Sequence, residues 1–341
     1  MRTRRGPCYP KAPDFCIDDE RYRFLKRRKV QVECRGFSPE SDRHFAGRRD
    51  LFYSLPDDLV LSLLCKLSST AGCPSDFINV LITCKRLNRL GLNSIVLSKA
   101  CREMLAVKAE HWSESSYRFL KLCADTGNAE ACYTLGMIQF YCLQNRGSGA
   151  SLMAKAAIAS HAPALYSLAV VQFNGSGGTK SDKDLRAGVA LCARAAFIGH
   201  IDALRELGHC LQDGYGVKKN IAEGRRFLIQ ANARELAAVL VAPPSWMAWC
   251  GCRLLSDFGC NVPHPANRFL SEWFSDRTGN VPGPGLRLCS HSICGKPETR
   301  RHEFRRCSVC GAVNYCSRAC QALDWKLRHK VECTPVAEDG E

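Results

Sequence analysis

Eight potential metal ligands are concentrated within residues 289–333. They form four close pairs with the spacings C-x4-C, C-x2-C, C-x3-C and H-x3-C, namely Cys289 and Cys294, Cys307 and Cys310, Cys316 and Cys320, and His329 and Cys333. A structural zinc ion binds four nitrogen or sulfur ligands in a tetrahedron, so eight ligands predict two complete sites with no open catalytic position. A segment this short buries little apolar surface, and zinc binding of about 10–16 kcal/mol would supply the missing stability. The spacing alone leaves open whether the pairs combine sequentially or interleave.

The rest of the composition is that of a globular intracellular chain. The 341 residues are enough for two or three domains, and 46% apolar and 24% charged residues exclude wholesale disorder. There is no run of about 18 apolar residues to span a membrane, and the first residues lack a secretory signal. We therefore expect reduced thiols, with scattered cysteines such as Cys84, Cys132 and Cys192 packed as small hydrophobes.

The formal charge of +15 is concentrated towards both ends. Residues 1–50 hold 14 Lys/Arg against 8 Asp/Glu, and residues 286–333 hold 10 against 4. The densest run, Lys26 to Lys29, suits nuclear import, and a solvated tail without an address is the alternative. We expect the protein in the nucleus or the cytoplasm.

Helical periodicity fills most of the chain from about residue 51, while strand patterns are almost absent. The fold class predicted is therefore mostly α. The predicted domains are a basic, largely disordered tail (1–50), a three-helix unit (51–98), helical repeats (115–240), a capping segment with a Pro/Gly linker (241–285), the zinc domain (286–333) and an acidic tail (334–341).

The capping segment contains a group of metal-ligating residues, Cys250, Cys252, Cys260 and His264, beside several tryptophans and prolines. A third metal site is one interpretation. The irregular spacing favours the other, a packed cap on the last repeat.

The three-helix unit begins at Ser54-Leu-Pro-Asp57, with a serine cap, a proline in the first turn and an acid at the third position. A loop is predicted over Ser68–Ser75, after which Asp76 caps a second helix. Three helices in about 45 residues form a small core that gains stability by burying its remaining apolar face on a partner. A capped helical hairpin without a partner is the alternative.

Two strings in this unit, Ser-Leu-Pro-Asp-Asp-Leu-Val from residue 54 and Val-Leu-Ile-Thr-Cys-Lys-Arg-Leu from residue 80, resemble an F-box. The resemblance implies docking on the Skp-type adaptor of cullin-based ubiquitin ligases. The residues that it places at this interface are Leu55, Pro56, Leu59 and Leu63. The predicted loop is longer and richer in Gly and Pro than is usual in that family.

Three segments in the middle of the chain align with one another, 129–136, 162–169 and 201–208. Offsets of 33 and 39 residues are typical of helical solenoids. The pattern resembles Sel-like repeats, relatives of tetratricopeptide repeats, although the first unit lacks the Gly-x-Gly loop of the others. Stacked helix pairs leave a concave face that usually binds protein, and a scaffold without a ligand of its own is the alternative.

The string Asn-Tyr-Cys-Ser-Arg-Ala-Cys-Gln-Ala-Leu-Asp-Trp-Lys-Leu-Arg-His-Lys-x-x-Cys, from residue 314, resembles a MYND finger, a zinc module that commonly binds proline-containing peptides. The resemblance implies interleaved ligands, with Cys289, Cys294, Cys316 and Cys320 on one zinc and Cys307, Cys310, His329 and Cys333 on the other. Ser317 is predicted to cap the following helix. Gln321 and Trp325 resemble peptide-contacting positions, with a core role for Trp325 as the alternative. His291 and His302 complete no pair and are expected at the surface.

F-box, Sel-like repeats and MYND finger in this order resemble the plant F-box proteins with a MYND-type zinc finger, over residues 50–333. This implies a non-catalytic substrate receptor of a Skp–cullin–F-box ubiquitin ligase, which acts by holding its substrate near the ubiquitin-loaded enzyme. The alternative is a nuclear adaptor whose finger recruits a Pro-rich partner without ubiquitination. The finger lacks the recognition helix of DNA-reading fingers, and no Gly-rich loop or strand-rich segment indicates a methyltransferase.

Overall fold

A computed structural model of the protein describes residues 54–241, 263–275 and 282–335. The basic run Lys26 to Lys29 and the cysteines Cys250, Cys252 and Cys260 lie outside these residues. Contacts divide the chain into two units, Met1–Ser54 and Leu55–Glu341, and the described residues from 55 onwards belong to the second. No helix in the described part is long and apolar enough to span a membrane.

The described chain is largely helical, which confirms the predicted fold class. The helices are α1 (Asp57–Thr70), α2 (Pro74–Leu81), α3 (Lys85–Gly91), α4 (Ser94–Leu97), α5 (Glu114–Asp125), α6 (Ala129–Met137), α7 (Arg146–Ile158), α8 (Ala162–Asn174), α9 (Leu185–Phe197), α10 (Ile201–Asp213), α11 (Ile221–Val241), α12 (Pro265–Trp273), α13 (Arg318–Asp324) and α14 (Lys330–Glu332). Ala109–His111 and Lys180–Asp182 form 3-10 turns, Ile138–Cys142 and Trp325–His329 form wide π-type turns, and β1 (Arg305–Arg306) pairs antiparallel with β2 (Asn314–Tyr315).

Helices α1 to α4 form the unit at the start of the described chain. Helix α1 begins at Asp57 with Pro56 in the N-cap position, not at the predicted cap Ser54. Asp57 instead binds two side chains of α3, lying 2.6 Å from Arg86 and 2.9 Å from Arg89. These ion pairs tie the first helix to the third.

The predicted loop over Ser68–Ser75 is wrong, because α1 continues to Thr70 and α2 already begins at Pro74. Proline is well tolerated at the first helical position, where its missing N–H costs nothing, so it starts the helix. Cys73 is the N-cap residue, and the Asp76 carboxylate reaches back to the backbone N–H groups of Gly72 and Cys73 at 2.9 and 3.1 Å. The connection is therefore short.

Helices α5 to α11 stack as successive pairs, in which each helix packs on its neighbour along the chain. Small residues permit this close approach. A Cβ atom at Gly149 of α7 would lie 2.6 Å from the backbone nitrogen of Phe140, and one at Gly136 of α6 would lie 3.0 Å from the carbonyl oxygen of Gly149. Gly175 and Gly214 follow the last residues of α8 and α10 and lie in the left-handed region, at φ +62° and +71°. They belong to the Gly-x-Gly loops of the repeats, where the sequence predicted that the chain turns.

The second helix of each of these repeats is capped by the residue just before the aligned segment. The side chains of Asn128, His161 and His200 accept hydrogen bonds from the backbone N–H groups of Ala131, Ala164 and Ala203 at 2.9, 3.3 and 3.3 Å. Extending the alignment by one residue would have revealed this shared position. Of the cysteines expected in the core, Cys132 and Cys192 are buried, whereas Cys84 is half-buried and caps α3.

Helix α12 lies in the predicted capping segment, whose residues 242–262 are outside the described part of the chain, and it packs on the first repeat. It contacts α6, the wide turn after α6 and the 3-10 turn Ala109–His111. The ring of Phe269 lies 5.2 Å from that of Trp112, and the Glu272 carboxylate accepts from the backbone N–H of Ala109 at 3.0 Å. Sequence order suggested the last repeat, whereas the aromatic ring of Phe269 packs at the first.

Candidate metal centre

Tight turns bring the ligands of the finger together. The backbone N–H of Cys289 donates to the carbonyl of Lys296, and that of Cys294 donates to the carbonyl of His291, both at 2.9 Å. Cys307 follows β1, Cys316 follows β2, and the hairpin between these strands turns through Cys310. The remaining ligands come from the helical segment that begins at α13.

The structure groups the eight ligands in the interleaved arrangement that the resemblance implied. One cluster contains Cys289, Cys294, Cys316 and Cys320, and the other contains Cys307, Cys310, His329 and Cys333. Within each cluster the ligand atoms lie within 4.8 Å of one another. The sequential assignment, which spacing also allowed, does not match this geometry.

The distances within the clusters fit tetrahedral zinc. The Sγ atoms of Cys294 and Cys316 lie 3.5 Å apart, those of Cys316 and Cys320 lie 3.6 Å apart, and those of Cys307 and Cys333 lie 3.9 Å apart. Zn–S bonds of about 2.3 Å place two tetrahedral sulfur ligands about 3.8 Å apart. Such separations are far longer than a disulfide bond, and four ligands each fill the two sites.

A buried lysine lies beside the four-cysteine cluster. Lys296 has only 4% of its surface exposed. Burial by itself would lower the pKa of Lys296, but the charges of Cys294 and Cys316 outweigh it and hold this pKa well above its usual value. Four thiolates on one zinc ion carry a net negative charge, so the ammonium balances part of it. Sequence spacing gave no signal for this role.

Helix α13 is fixed at its start and its end. The Ser317 hydroxyl accepts from the backbone N–H of Cys320 at 3.1 Å, which is the predicted cap. At the other end the buried Asp324 accepts from the Tyr315 hydroxyl at 2.7 Å and pairs with Arg328 at 3.2 Å. Burial and the hydrogen bond to Asp324 raise the pKa of Tyr315, so this hydroxyl remains a donor at neutral pH.

The start of α13 is docked on the second helices of the repeats. The Tyr166 hydroxyl of α8 donates to the Ser317 hydroxyl at 3.1 Å, and the Glu206 carboxylate of α10 accepts from the backbone N–H of Ala319 at 2.9 Å. Arg318 lies 3.0 Å from the Asp213 carboxylate. It also stacks over the ring of Tyr215 at 4.5 Å.

A second set of contacts joins the finger to the loop after α8. Arg300 donates to the carbonyl oxygens of Asn174 and Gly175 at 2.5 and 3.0 Å, and the Gly177 backbone N–H donates to the Thr299 hydroxyl at 2.8 Å. The Asn174 amide in turn donates to the carbonyl of Cys316 at 2.8 Å. The finger thus covers this part of the second helices of the repeats and the loop after α8.

The four residues expected to contact an adaptor lie together at the start of α1. Leu59 and Leu63 are 50% and 53% exposed, and they lie on a face of α1 about 100° around the helix from the buried Val60 and Leu64. Pro56 is exposed and Leu55 is half-buried. The unit therefore presents an apolar row that its own core does not cover.

On the finger, Trp325 is 40% exposed and Gln321 is half-buried. The Trp325 ring also packs edge-on against the ligand His329 at 5.7 Å, so it supports the fold as well as facing solvent. His302 is exposed, as expected. The prediction that His291 is a surface residue is wrong, because only 3% of its surface is exposed in the folded chain.

His264 belongs to a cluster with Glu130 and His161 that superficially resembles a metal site. The Nδ1 atoms of His161 and His264 accept backbone N–H groups at 3.3 and 3.1 Å, which places the proton of each neutral ring on Nε2. These Nε2 atoms lie 3.0 and 2.7 Å from the Glu130 carboxylate, the second contact being less well aligned. Although burial favours the neutral acid, these hydrogen bonds lower the pKa of Glu130. A metal ion would have to bind the Nε2 atoms, but these atoms carry protons and have no free lone pair. The cluster is therefore a hydrogen-bonded network of one carboxylate and two imidazoles.

Comparisons with known proteins agree with this architecture. A family model for plant tetratrico peptide repeats matches residues 103–195, and one for the MYND finger matches residues 289–333. The MYND-type zinc finger protein samB of Aspergillus niger is 38% identical over 15% of this chain and 9% of its own. A helical-repeat protein with a two-zinc MYND finger is the class that the fold and the site define.

Two relatives cover nearly the whole chain. F-box protein At1g67340 of Arabidopsis thaliana is 67% identical over 91% of this chain and 87% of its own length. F-box protein At5g50450 of the same plant is 66% identical over 84% and 85%. The chain therefore belongs to the plant F-box proteins with helical repeats and a C-terminal MYND finger.

Two solved structures have weaker similarity. The Sel1 repeat protein from Oxalobacter formigenes aligns with a TM-score of 0.31 and 24% identity, over 34% of this chain and 86% of its own. The protective antigen c5321 of uropathogenic Escherichia coli, with an SLR fold, aligns with a TM-score of 0.39 and 16% identity, over 67% and 48%.

Proposed function

We propose that the protein is the substrate-recognition subunit of a Skp–cullin–F-box ubiquitin ligase. The observation that carries this proposal is the exposed apolar row of Leu59 and Leu63 in a unit whose relatives are F-box proteins. A small helical unit with uncovered apolar side chains is stabilised by a partner surface, and a Skp-type adaptor is the partner that the family implies.

The same unit has further exposed apolar side chains beyond α1. Ile78 and Ile82 of the α2 region and Ile95 of α4 are each about half exposed. Together with α1 they support one adaptor-binding surface.

In this proposal the repeats and finger form the substrate-binding arm. The finger is docked on α8 and α10 by hydrogen bonds and ion pairs, so the two modules present a joint surface. Trp325 and Gln321 offer a peptide site on that surface. No residue of the chain transfers ubiquitin; the complex works by holding substrate lysines near the charged enzyme, which raises their effective concentration.

The test is co-purification of the full chain with a Skp-type adaptor. Burying a leucine side chain contributes about 1.5–3 kcal/mol, and both leucines are half-buried before binding. Leu59→Ala with Leu63→Ala should thus weaken binding by about 2 kcal/mol, or about 30-fold. The matched control is Leu122→Ala with Leu143→Ala, which truncates two similarly exposed leucines of the repeats.

Equal loss in both double variants would show general destabilisation instead of an interface. Absence of binding by the unaltered chain would remove the ligase assignment. The alternative function would then stand, in which this protein is itself a nuclear adaptor and its finger recruits a Pro-rich partner without ubiquitination.

A further inference from the structure

The first helices of the second and third repeats, α7 and α9, carry positive charge without any acid. Their charged residues are Arg146, Lys155, Arg186 and Arg194. Arg146 donates to the carbonyl of Thr299 in the finger, whereas the other three are exposed and form no ion pair within the described part of the chain. The first helix of the preceding repeat, α5, has two acids and two bases, so the excess charge belongs to these two repeats.

Each of the two helices also ends in a large apolar side chain that faces solvent. Ile158 is 80% exposed and Phe197 is 93% exposed. They occupy equivalent positions, because the aligned segments of their repeats begin four residues later, at 162 and 201. Lys155 and Arg194 precede them by three residues, a spacing that places both side chains on one side of a helix. Two successive repeats thus present the same cation–apolar pair.

The two cation–apolar pairs lie within reach of one short peptide. Both are at the same end of the stack, next to the turns that lead into α8 and α10, and α8 packs against both α7 and α9. Packed helices lie about 8–10 Å apart, so two such steps separate the pairs by at most about 20 Å. An extended chain advances about 3.3 Å per residue and covers this distance in about six residues.

We propose that this face binds an acidic segment of a partner protein that carries two large apolar side chains. Its carboxylates complement the cations of α7 and α9, and its apolar side chains remove Ile158 and Phe197 from water. A nucleic acid would satisfy the cations, but Ile158 has no ring on which a base could stack. A membrane surface favours one continuous apolar face, whereas these two side chains belong to separate helices. The acidic segment is the occupant that uses both members of each pair.

The test measures peptide binding by the zinc-loaded full chain without an adaptor, so its result is separate from the ligase assignment. The probe is a fluorescent peptide of about twelve residues, made of aspartate and serine with two leucines about five positions apart, and binding is followed by anisotropy. A second peptide has serine in place of both leucines, and a third has lysine in place of aspartate. We expect saturable binding of the first, at least about tenfold weaker binding of the second, and none of the third.

Variants on the protein locate the site. Phe197→Ala should weaken binding of the leucine peptide about tenfold, and its side chain is too exposed to support the fold. The control is Val331→Ala, which truncates an apolar side chain of the finger that is 92% exposed. Lys155→Gln with Arg194→Gln should weaken binding about fivefold. Lys218→Gln with Lys219→Gln, at exposed lysines of the loop before α11, should leave it unchanged.

Equal binding of the leucine and serine peptides would reduce the contact to charge alone and overturn the proposal. No saturable binding of the leucine peptide at millimolar concentration would overturn it too. If Val331→Ala weakened binding as much as Phe197→Ala, the peptide would not be bound specifically at α7 and α9. Single-stranded DNA and phosphatidylserine vesicles are the remaining probes, and tighter binding of either, lost in Phe197→Ala, would assign this face to nucleic acid or membrane instead.

Discussion

The contact between Glu206 and the first turn of α13 holds the finger against the repeats, and Glu206→Ala should weaken it measurably. The substitution leaves the N–H of Ala319, a fully buried residue, without its acceptor at 2.9 Å. A hydrogen bond to a charged group contributes about 1.5–3 kcal/mol. Burial raises the pKa of Glu206, which offsets part of that gain. We therefore expect a loss of about 2 kcal/mol.

For a chain of this size, an unfolding entropy of about 2.1 cal/mol/K per residue makes about 1 kcal/mol correspond to about 1.5 °C, so the Tm of Glu206→Ala should fall by about 3 °C. Calorimetry gives the shift, and hydrogen exchange locates it, because amides at the start of α13 should lose protection first. Glu206→Gln keeps an acceptor of the same shape and should lie between the alanine variant and the unaltered protein.

The matched control is Glu223→Ala. This carboxylate lies at the start of α11 and pairs with Arg226 at 3.0 Å in an exposed ion pair, which is worth about 0–1 kcal/mol. If Glu206→Ala and Glu223→Ala have the same Tm, and α13 exchanges at an unchanged rate in both, then the carboxylate does not hold the finger and the reasoning is refuted.

Three further outcomes are expected. Native mass spectrometry should count two zinc ions per chain and one in Cys294→Ser; an unchanged count in that variant would contradict the four-cysteine site. Burial lowers the pKa of His200 to about 4 from 6.5, so the unfolded state takes up a proton first and the stability of the fold falls as the pH is lowered from 6.5 to about 4. His200→Asn, which can still cap α10, should reduce this loss of stability in urea unfolding, whereas His111→Asn, at an exposed histidine, should not. Gly149→Ala should cost about 1–3 kcal/mol, because its Cβ would lie 2.6 Å from a backbone nitrogen, while Gly147→Ala, with open space around it, should be neutral or stabilising in the same assay.

Local patterns explain what the sequence could predict. The repeat alignment depends on side chains a few residues apart, and it located the helix pairs and their turn glycines. The zinc ligands come in close pairs for the same reason, since each turn of the finger positions two of them. Resemblance then supplied the interleaving, which no spacing decides.

Contacts between distant parts of the chain could not be predicted in this way. Glu206 and Ala319 are 113 positions apart, and neither has a sequence signal that names the other. The packing of α12 could not be predicted either, because the ring of Phe269 packs against Trp112, which is distant in sequence. Lys296 and His291 look like surface residues by type, yet both are buried in the folded chain.

The docked finger also has a consequence for how the protein is made. Ribosomes deliver the repeats before residues 289–333, and each zinc site needs ligands from both halves of that segment. Until translation passes Cys333 and both ions bind, the second helices of the repeats face the cell with Tyr166 and the buried acid Glu206 uncovered. A nascent chain, or one that lacks zinc, therefore exposes a surface that the folded, zinc-bound protein buries. Quality-control factors that bind exposed surfaces can distinguish the two forms by this difference.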